Sequence, residues 1–291
     1  MLDRLLGRYL VSKGFINGTQ LSEAYHKQEQ NRAKLGVIAV SEKLMSIAQA
    51  EQVNSLQATM DKRFGDIAVE KGYLTEPQVT RLLELQGNAY LAFLQAVVDL
   101  GYLTMQQLEK AENEYQAEHG FTETDMMNLK SGDVEKIVPI FIGTTEADYI
   151  NIFSMAIKDI YRLVDNHVYI GNGFFTTTIR EEAVGYQKFH GDQNATVAIA
   201  GKIGDVQKLA IAYTKEEFIE TEEDALDATC ELINCMNGLY ATEMSKKDIK
   251  IELEPPDFST SFKDVSADRI LVLPVYTCGG EVKCAISVNG G

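Results

Sequence analysis

A segment of 29 residues recurs four times in the first 120 positions, and this fixes what that part of the chain can become. The copies open LGRYLVSKGFI at Leu6, LGVIAVSEKLM at Leu35, FGDIAVEKGYL at Phe64 and FLQAVVDLGYL at Phe93. Gly14, Gly72 and Gly101 hold one position of the repeat, and Lys43 fills it in the second copy. Gln28, Gln57 and Gln86 close three copies and Tyr115 the fourth. Apolar residues at helical spacing, a glycine, then a second such run spell helix–turn–helix, because glycine supplies the left-handed backbone at a helix end. Pro77 falls near the start of a second helix, where its missing N–H is tolerated. One such hairpin cannot bury its own apolar face. The four are therefore expected to stack into one array with a shared core and a long continuous face.

After the repeats, residues 117–140 mix Gly, Ser, Thr and charge and read as a connection, with a short helix or lead-in strand at 133–138. The expected division is a repeat domain at 1–118, a linker at 119–140 and a second domain at 141–291. In the second domain a long helix is expected over 147–166. Strands are expected in HVYIGNGFFTTTIR, AVGYQKFHG, ATVAIAGKIG and VQKLAIAYT, then a short helical piece at KEEFIE, then a helix at 226–244. Two late strands follow, at 270–276 and 282–288, joined as a hairpin at Gly279-Gly280. The fold class is α+β: all-α hairpins, then a mostly antiparallel sheet with two long helices.

Composition narrows the function classes. Residues 1–120 carry 12 basic and 15 acidic side chains, the remainder 15 and 28, for a net charge of −16. Such an acidic C-terminal part repels nucleic acid, whose binding rests on neutralising phosphates. No run of 18 apolar residues offers a membrane span, and the N-terminus has no signal-peptide core, so a cytoplasmic protein is expected. Cys230, Cys235, Cys278 and Cys284 form no C-x-x-C pair and have no nearby His, so buried free thiols are expected and no metal site. Gly171 to Gly173 reads as a hairpin turn rather than a dinucleotide loop. His167 and His190 have no ligand-spaced partner. The acidic run 216–227 lacks calcium-loop spacing and reads as a solvated helix start.

The helix at 226–244, LDATCELINCMNGLYATEM, carries the chemistry. Leu226, Cys230, Ile233 and Tyr240 make one apolar face, and Glu231 and Asn234 share another. A glutamate and an asparagine on a helix surface are by themselves an ordinary solvated face. Asparagine is, however, a mediocre mid-helix residue, and Gly238 one turn later suggests a close approach by another segment. Thr221 and Asp224 stand at capping spacing before the helix.

ELINCMNG, then IKIELEPPDFS, then RILVLPVYTCGGEVKCAISV resemble the CheC/CheX family, phosphatases that remove the phosphoryl group from the response regulator CheY. The resemblance runs from near Phe141 to the C-terminus. It implies that Glu231 pairs with the active-site lysine of the receiver domain and that Asn234 positions a water for in-line attack on the phosphoaspartate. It also implies no cofactor of the chain's own, since the receiver carries the Mg ion. The helix at 147–166 contains no E-x-x-N, because Asp159 is followed three residues later by Arg162, so one active site is expected.

The repeats resemble the N-terminal domain of type II secretion and type IV pilus ATPases, one branch of which binds cyclic di-GMP. By that likeness Arg63, and Lys34 in the preceding copy, would contact the nucleotide. Two classes stay open. One is a phosphatase of a CheY-like receiver with an N-terminal targeting or regulatory module. The other is a catalytically inactive two-domain adaptor that binds a receiver or cyclic di-GMP. A homodimer is compatible with either.

Overall fold

Each 29-residue copy folds as two helices in the computed structural model, which describes residues 1–215, 219–259, 265–277 and 279–288. The pairs are α1 (Leu2–Ser12) with α2 (Gly18–Gln30), α3 (Leu35–Ser41) with α4 (Ile47–Gln57), α5 (Phe64–Glu70) with α6 (Glu76–Glu84), and α7 (Ala89–Asp99) with α8 (Met105–His119). The turn between helices is one conformation repeated. Gly14, Lys43, Gly72 and Gly101 take φ of 73°, 56°, 70° and 71°. Each second helix then starts on a reciprocal cap: Gln20, Gln49, Gln78 and Gln107 accept from the backbone N–H of Asn17, Ser46, Thr75 and Thr104.

The copies do not stack in sequence order. The first packs on the fourth, through α1 and α2 against α7, and α7 also packs on α3 of the second copy. The third copy joins the second. The buried Gln28 bonds Asp3 and the Ala89 carbonyl, at 2.9 and 2.8 Å, and so ties the first copy to the fourth. The copies thus share one core, but it is organised around α7 rather than by stacking in sequence order. The cause is composition: every residue from Tyr90 to Val97 is buried and all but Gln95 are apolar, and a helix that is apolar nearly all round must lie inside.

The chain forms two compact units, Met1–Gly132 and Asp133–Gly291. The stretch 119–140, read as a linker, is helical. It holds α9 (Glu123–Ser131) and the start of α10 (Val134–Ile142). Thr122 and Asp125 form a capping box there, and Gly120 and Gly132 end helices at positive φ, as Gly143 does just beyond it.

In the second unit, α11 (Ala147–Leu163) precedes β1 (Tyr169–Ile170), β2 (Phe174–Ile179), β3 (Ala183–Gly191) and β4 (Ala195–Gly201). After α12 (Ile203–Thr214) the pattern recurs as α13 (Glu222–Ser245), β5 (Ile251–Leu253), β6 (Asp257–Ser259), β7 (Val265–Thr277) and β8 (Gly280–Val288). The sheet order is β1-β7-β8-β4-β3-β5, with β2 also on β7 and β6 also on β3. All pairings are antiparallel. Exchanging the halves maps this order onto itself, so the sheet is a pseudo-two-fold duplication centred on the β4–β8 pair.

Two expectations change, one falls partly outside the described residues, and two short strands went unread. The run 206–214, read as a strand, is most of α12. Its buried Val206, Leu209 and Ala210 follow helical spacing, and the strand reading came from its apolar content alone. The helical piece at KEEFIE falls partly on residues 216–218, outside the described residues; Lys215 ends α12 in the left-handed region and Ile219 and Glu220 are not helical. Gly171 to Gly173 is not a hairpin turn, because β1 and β2 both pair with β7. It is a break in one lane, where a Cβ on Gly173 would meet the Ile142 backbone at 3.1 Å. The short β5 and β6 went unread, since three residues carry no periodic signal.

No helix among the described residues is long and apolar enough to cross a membrane. Cys230 and Cys284 are buried free thiols, pushed by burial up to about 11 and about 12. Cys235 is only half-buried, and Cys278 lies outside the described residues.

One buried acid strains the second unit. Asp159 on α11 is 1 % exposed, and its Oδ2 has no partner. Burial raises its carboxyl from 3.8 to about 6, with Arg162 and Lys158 partly offsetting the rise. Folded, the group keeps its proton to about pH 6; unfolded, it releases it near 3.8. Its contribution is therefore most favourable below the unfolded value and is lost as pH rises through about 6. Asp159→Asn is expected to stabilise this unit at pH 8 by roughly 1–2 kcal/mol and to have little effect near pH 4. Denaturant midpoints of both proteins across this range test it, and parallel curves would count against it.

Candidate functional site

The site is built where β3 meets α13. Along β3, alternate residues Gly185, Gln187 and Phe189 face the helix. A Cβ on Gly185 would sit 3.3 Å from Cys230 Sγ and 3.5 Å from Ile233 and Thr229, so glycine lets α13 seat closely on the strand. Phe189 lies against Tyr240, with ring centroids 5.8 Å apart. The close approach expected at Gly238 belongs to Gly185 instead: nothing lies within 4 Å of a Cβ on Gly238.

α13 starts on a capping box between Thr221 and Asp224, with Glu222, Glu223 and Asp224 in its first turn. There they favour the positive end of the helix dipole. Glu216 and Glu217 of the acidic run are outside the described residues. Leu226, Cys230, Ile233 and Tyr240 are buried, whereas Asp227, Glu231 and Asn234 are exposed. Glu231 and Asn234 are three residues apart and so share the outer ridge.

Sequence reading missed what lies beneath that ridge. Gln187 is 1 % exposed and makes three hydrogen bonds. Its Nε2 donates to Asn234 Oδ1 at 2.7 Å and to the Glu254 carbonyl at 2.8 Å. Its Oε1 accepts from Asn237 Nδ2 at 2.8 Å, and Asn237 is itself 2 % exposed. The available signal was a lone glutamine on the core-facing register of a strand, since a buried amide needs partners. A second glutamine works alike nearby: Gln193 donates to Asp148 Oδ1 at 2.9 Å and accepts from Tyr240 Oη at 2.8 Å, bridging α11 and α13. Tyr213 of α12 also flanks the ridge. Its phenol is raised, by burial first and then by neighbouring Cys235 and Glu231.

α11 carries Asp148 and Asn151 at the same three-residue spacing, but Asp148 is held by Gln193. The two histidines stay outside the site. Exposed His190 lies 3.5 Å from Glu252, and the described residues hold no cluster of three potential metal ligands.

Lys34 and Arg63 occupy equivalent places in the first unit, as the N-caps of α3 and α5. Both are exposed. The Lys34 ammonium bonds Asp99 at 3.0 Å, so a phosphate there would have to displace a carboxylate.

An antiparallel, duplicated sheet carrying two long helices, one with an exposed acid–amide pair, defines the class of domain. Its sequence matches within that class: residues 183–266 fit the family model described as chemotaxis phosphatase CheX. The C-terminal half of this chain resembles the CheC/CheX family. Among solved structures, chemotaxis protein CheX from Desulfovibrio desulfuricans is 12 % identical, with a TM-score of 0.42, and the match covers 48 % of this chain and 97 % of that one. A CheC-like superfamily protein from Shewanella is 14 % identical, with a TM-score of 0.43 over 50 % of this chain and 100 % of that one. The CheX–CheY–BeF3–Mg complex from Borrelia burgdorferi gives 18 % identity and a TM-score of 0.41, over 50 % and 100 %. No curated protein matches the chain.

Proposed function

We propose that the unit from Asp133 onward is a phosphatase of a phosphorylated, CheY-like receiver domain, with Glu231 and Asn234 as its working pair. The observation that carries this reading is the outer ridge of α13. It presents a carboxylate and an amide side by side, inside the segment that fits the chemotaxis phosphatase family. Hydrolysis of an acyl phosphate depends on positioning and charge stabilisation more than on covalent help. The receiver would contribute phosphate, Mg ion and lysine. Glu231 would pair with that lysine through a charge-assisted hydrogen bond. Asn234 would hold the attacking water in line, and a neutral amide can do so without repelling the phosphate.

The four hairpins are proposed as a targeting or regulatory module. A cyclic di-GMP contact at Lys34 and Arg63 would first have to break the Lys34–Asp99 pair. The test of the catalytic reading is release of phosphate from a phosphorylated receiver, with and without the full chain. Acceleration is expected. Tight binding with an unchanged rate would replace the phosphatase with an adaptor.

A further inference from the structure

We infer that Gln187 is a positioning residue that fixes which end of the Asn234 amide faces the partner. This rests on the phosphatase reading for its consequence, though not for its geometry. Carbonyl oxygens only accept hydrogen bonds. The Glu254 backbone carbonyl therefore requires the NH2 of Gln187 to face it, at 2.8 Å. The second proton of that NH2 reaches Asn234, 2.7 Å away, where it can meet only an acceptor, Oδ1. The amide of Asn237 completes the arrangement by donating to Gln187 Oε1. Asn234 Nδ2 is thereby turned away from the sheet, onto the exposed ridge beside Glu231. Among the described residues no acceptor engages it.

The consequence is a defined polarity at the proposed reaction centre. The outward NH2 donates to the attacking water or to a phosphoryl oxygen, both of which accept. An inverted amide would present an oxygen toward a negatively charged group. An unrestrained amide on an exposed helix would sample both ends and several rotamers. Gln187 removes that freedom before the partner arrives, and pre-paid orientation of this kind acts on turnover rather than on docking. Glu231, which is proposed to dock, has no share in the Gln187 bonds.

Two variants and one measurement test this. Gln187→Met keeps the bulk and removes the three bonds. It is expected to lower kcat for phosphoreceiver hydrolysis by about 10-fold, with KM unchanged. Gln187→Glu keeps the shape and replaces the donor to Asn234 with an acceptor. It is expected to invert the Asn234 amide and to lower kcat further, again at constant KM. Thermal unfolding of both variants shows whether they fold. In wild-type protein, 15N relaxation of the Asn234 side-chain NH2 is expected to show an amide as ordered as the backbone, and mobile in Gln187→Met. A mobile wild-type amide overturns the inference even if neither variant folds. So does a folded Gln187→Glu with wild-type kcat. A wild-type chain with no effect on phosphoreceiver lifetime would end the phosphatase reading instead, while the relaxation measurement still decides the role of Gln187.

Discussion

Asn234→Ala is expected to slow receiver dephosphorylation by about 100-fold or more while leaving fold and docking intact. The fold should survive because Asn234 is exposed, and alanine is a better helix residue than asparagine. One bond is lost inside the protein, the 2.7 Å contact from Gln187 Nε2. That donor keeps the Glu254 carbonyl as a partner, so no buried group is left wholly unpaired. The loss should fall on kcat, since the amide is proposed to act on the reacting water and Glu231 on the receiver lysine. The check is steady-state phosphate release at saturating receiver, with circular dichroism to confirm the helix. A variant that retains the activity of an active parent would remove Asn234 from the chemistry.

The sequence made the ridge legible but left out its support. Spacing put Glu231 and Asn234 on one face, because a helix converts a three-residue interval into adjacency whatever lies beneath it, and the resemblance to the CheC/CheX family singled the pair out. Gln187 is 44 positions upstream of Glu231 in a stretch readable only as a strand. Its meeting with Asn234 is a product of sheet topology, which periodicity does not encode. The same limit explains the repeats. Their turns and caps are local, so the positive-φ positions at Gly14, Gly72 and Gly101 could be anticipated. Which copy packs on which is not local. The clue was the dense apolar run of α7, interrupted between Ala89 and Val98 only by Gln95, a burial signal that the 29-residue period itself conceals. The strand assigned to 206–214 failed differently. Short apolar stretches are ambiguous between helix and strand, and three buried positions at Val206, Leu209 and Ala210 decide for helix only once contacts are known.

Glu231→Lys is expected to weaken the complex with the phosphorylated receiver by about 100-fold, since like charges facing each other across an interface cost several kcal/mol. The effect should exceed the simple loss of a pair, because the proposed partner is itself a lysine. It should also soften as salt is raised, since the ridge is exposed and ions screen it. Neighbouring Asp227, one turn earlier on the same helix, would partly make up for a missing carboxylate at 231, so charge reversal is a sharper probe than Glu231→Ala. Folding should be little affected: the side chain is exposed and the buried face of α13 is untouched. The comparison with Asn234→Ala separates the two roles. Direct titration against a stably phosphorylated-like receiver should show Glu231→Lys losing affinity and Asn234→Ala keeping it. Single-turnover release at receiver concentrations high enough to force the complex should then recover rate for Glu231→Lys and not for Asn234→Ala. Equal affinity for wild type and Glu231→Lys would place Glu231 outside the interface, and the lysine-pairing role would have to pass to another acid on the same ridge.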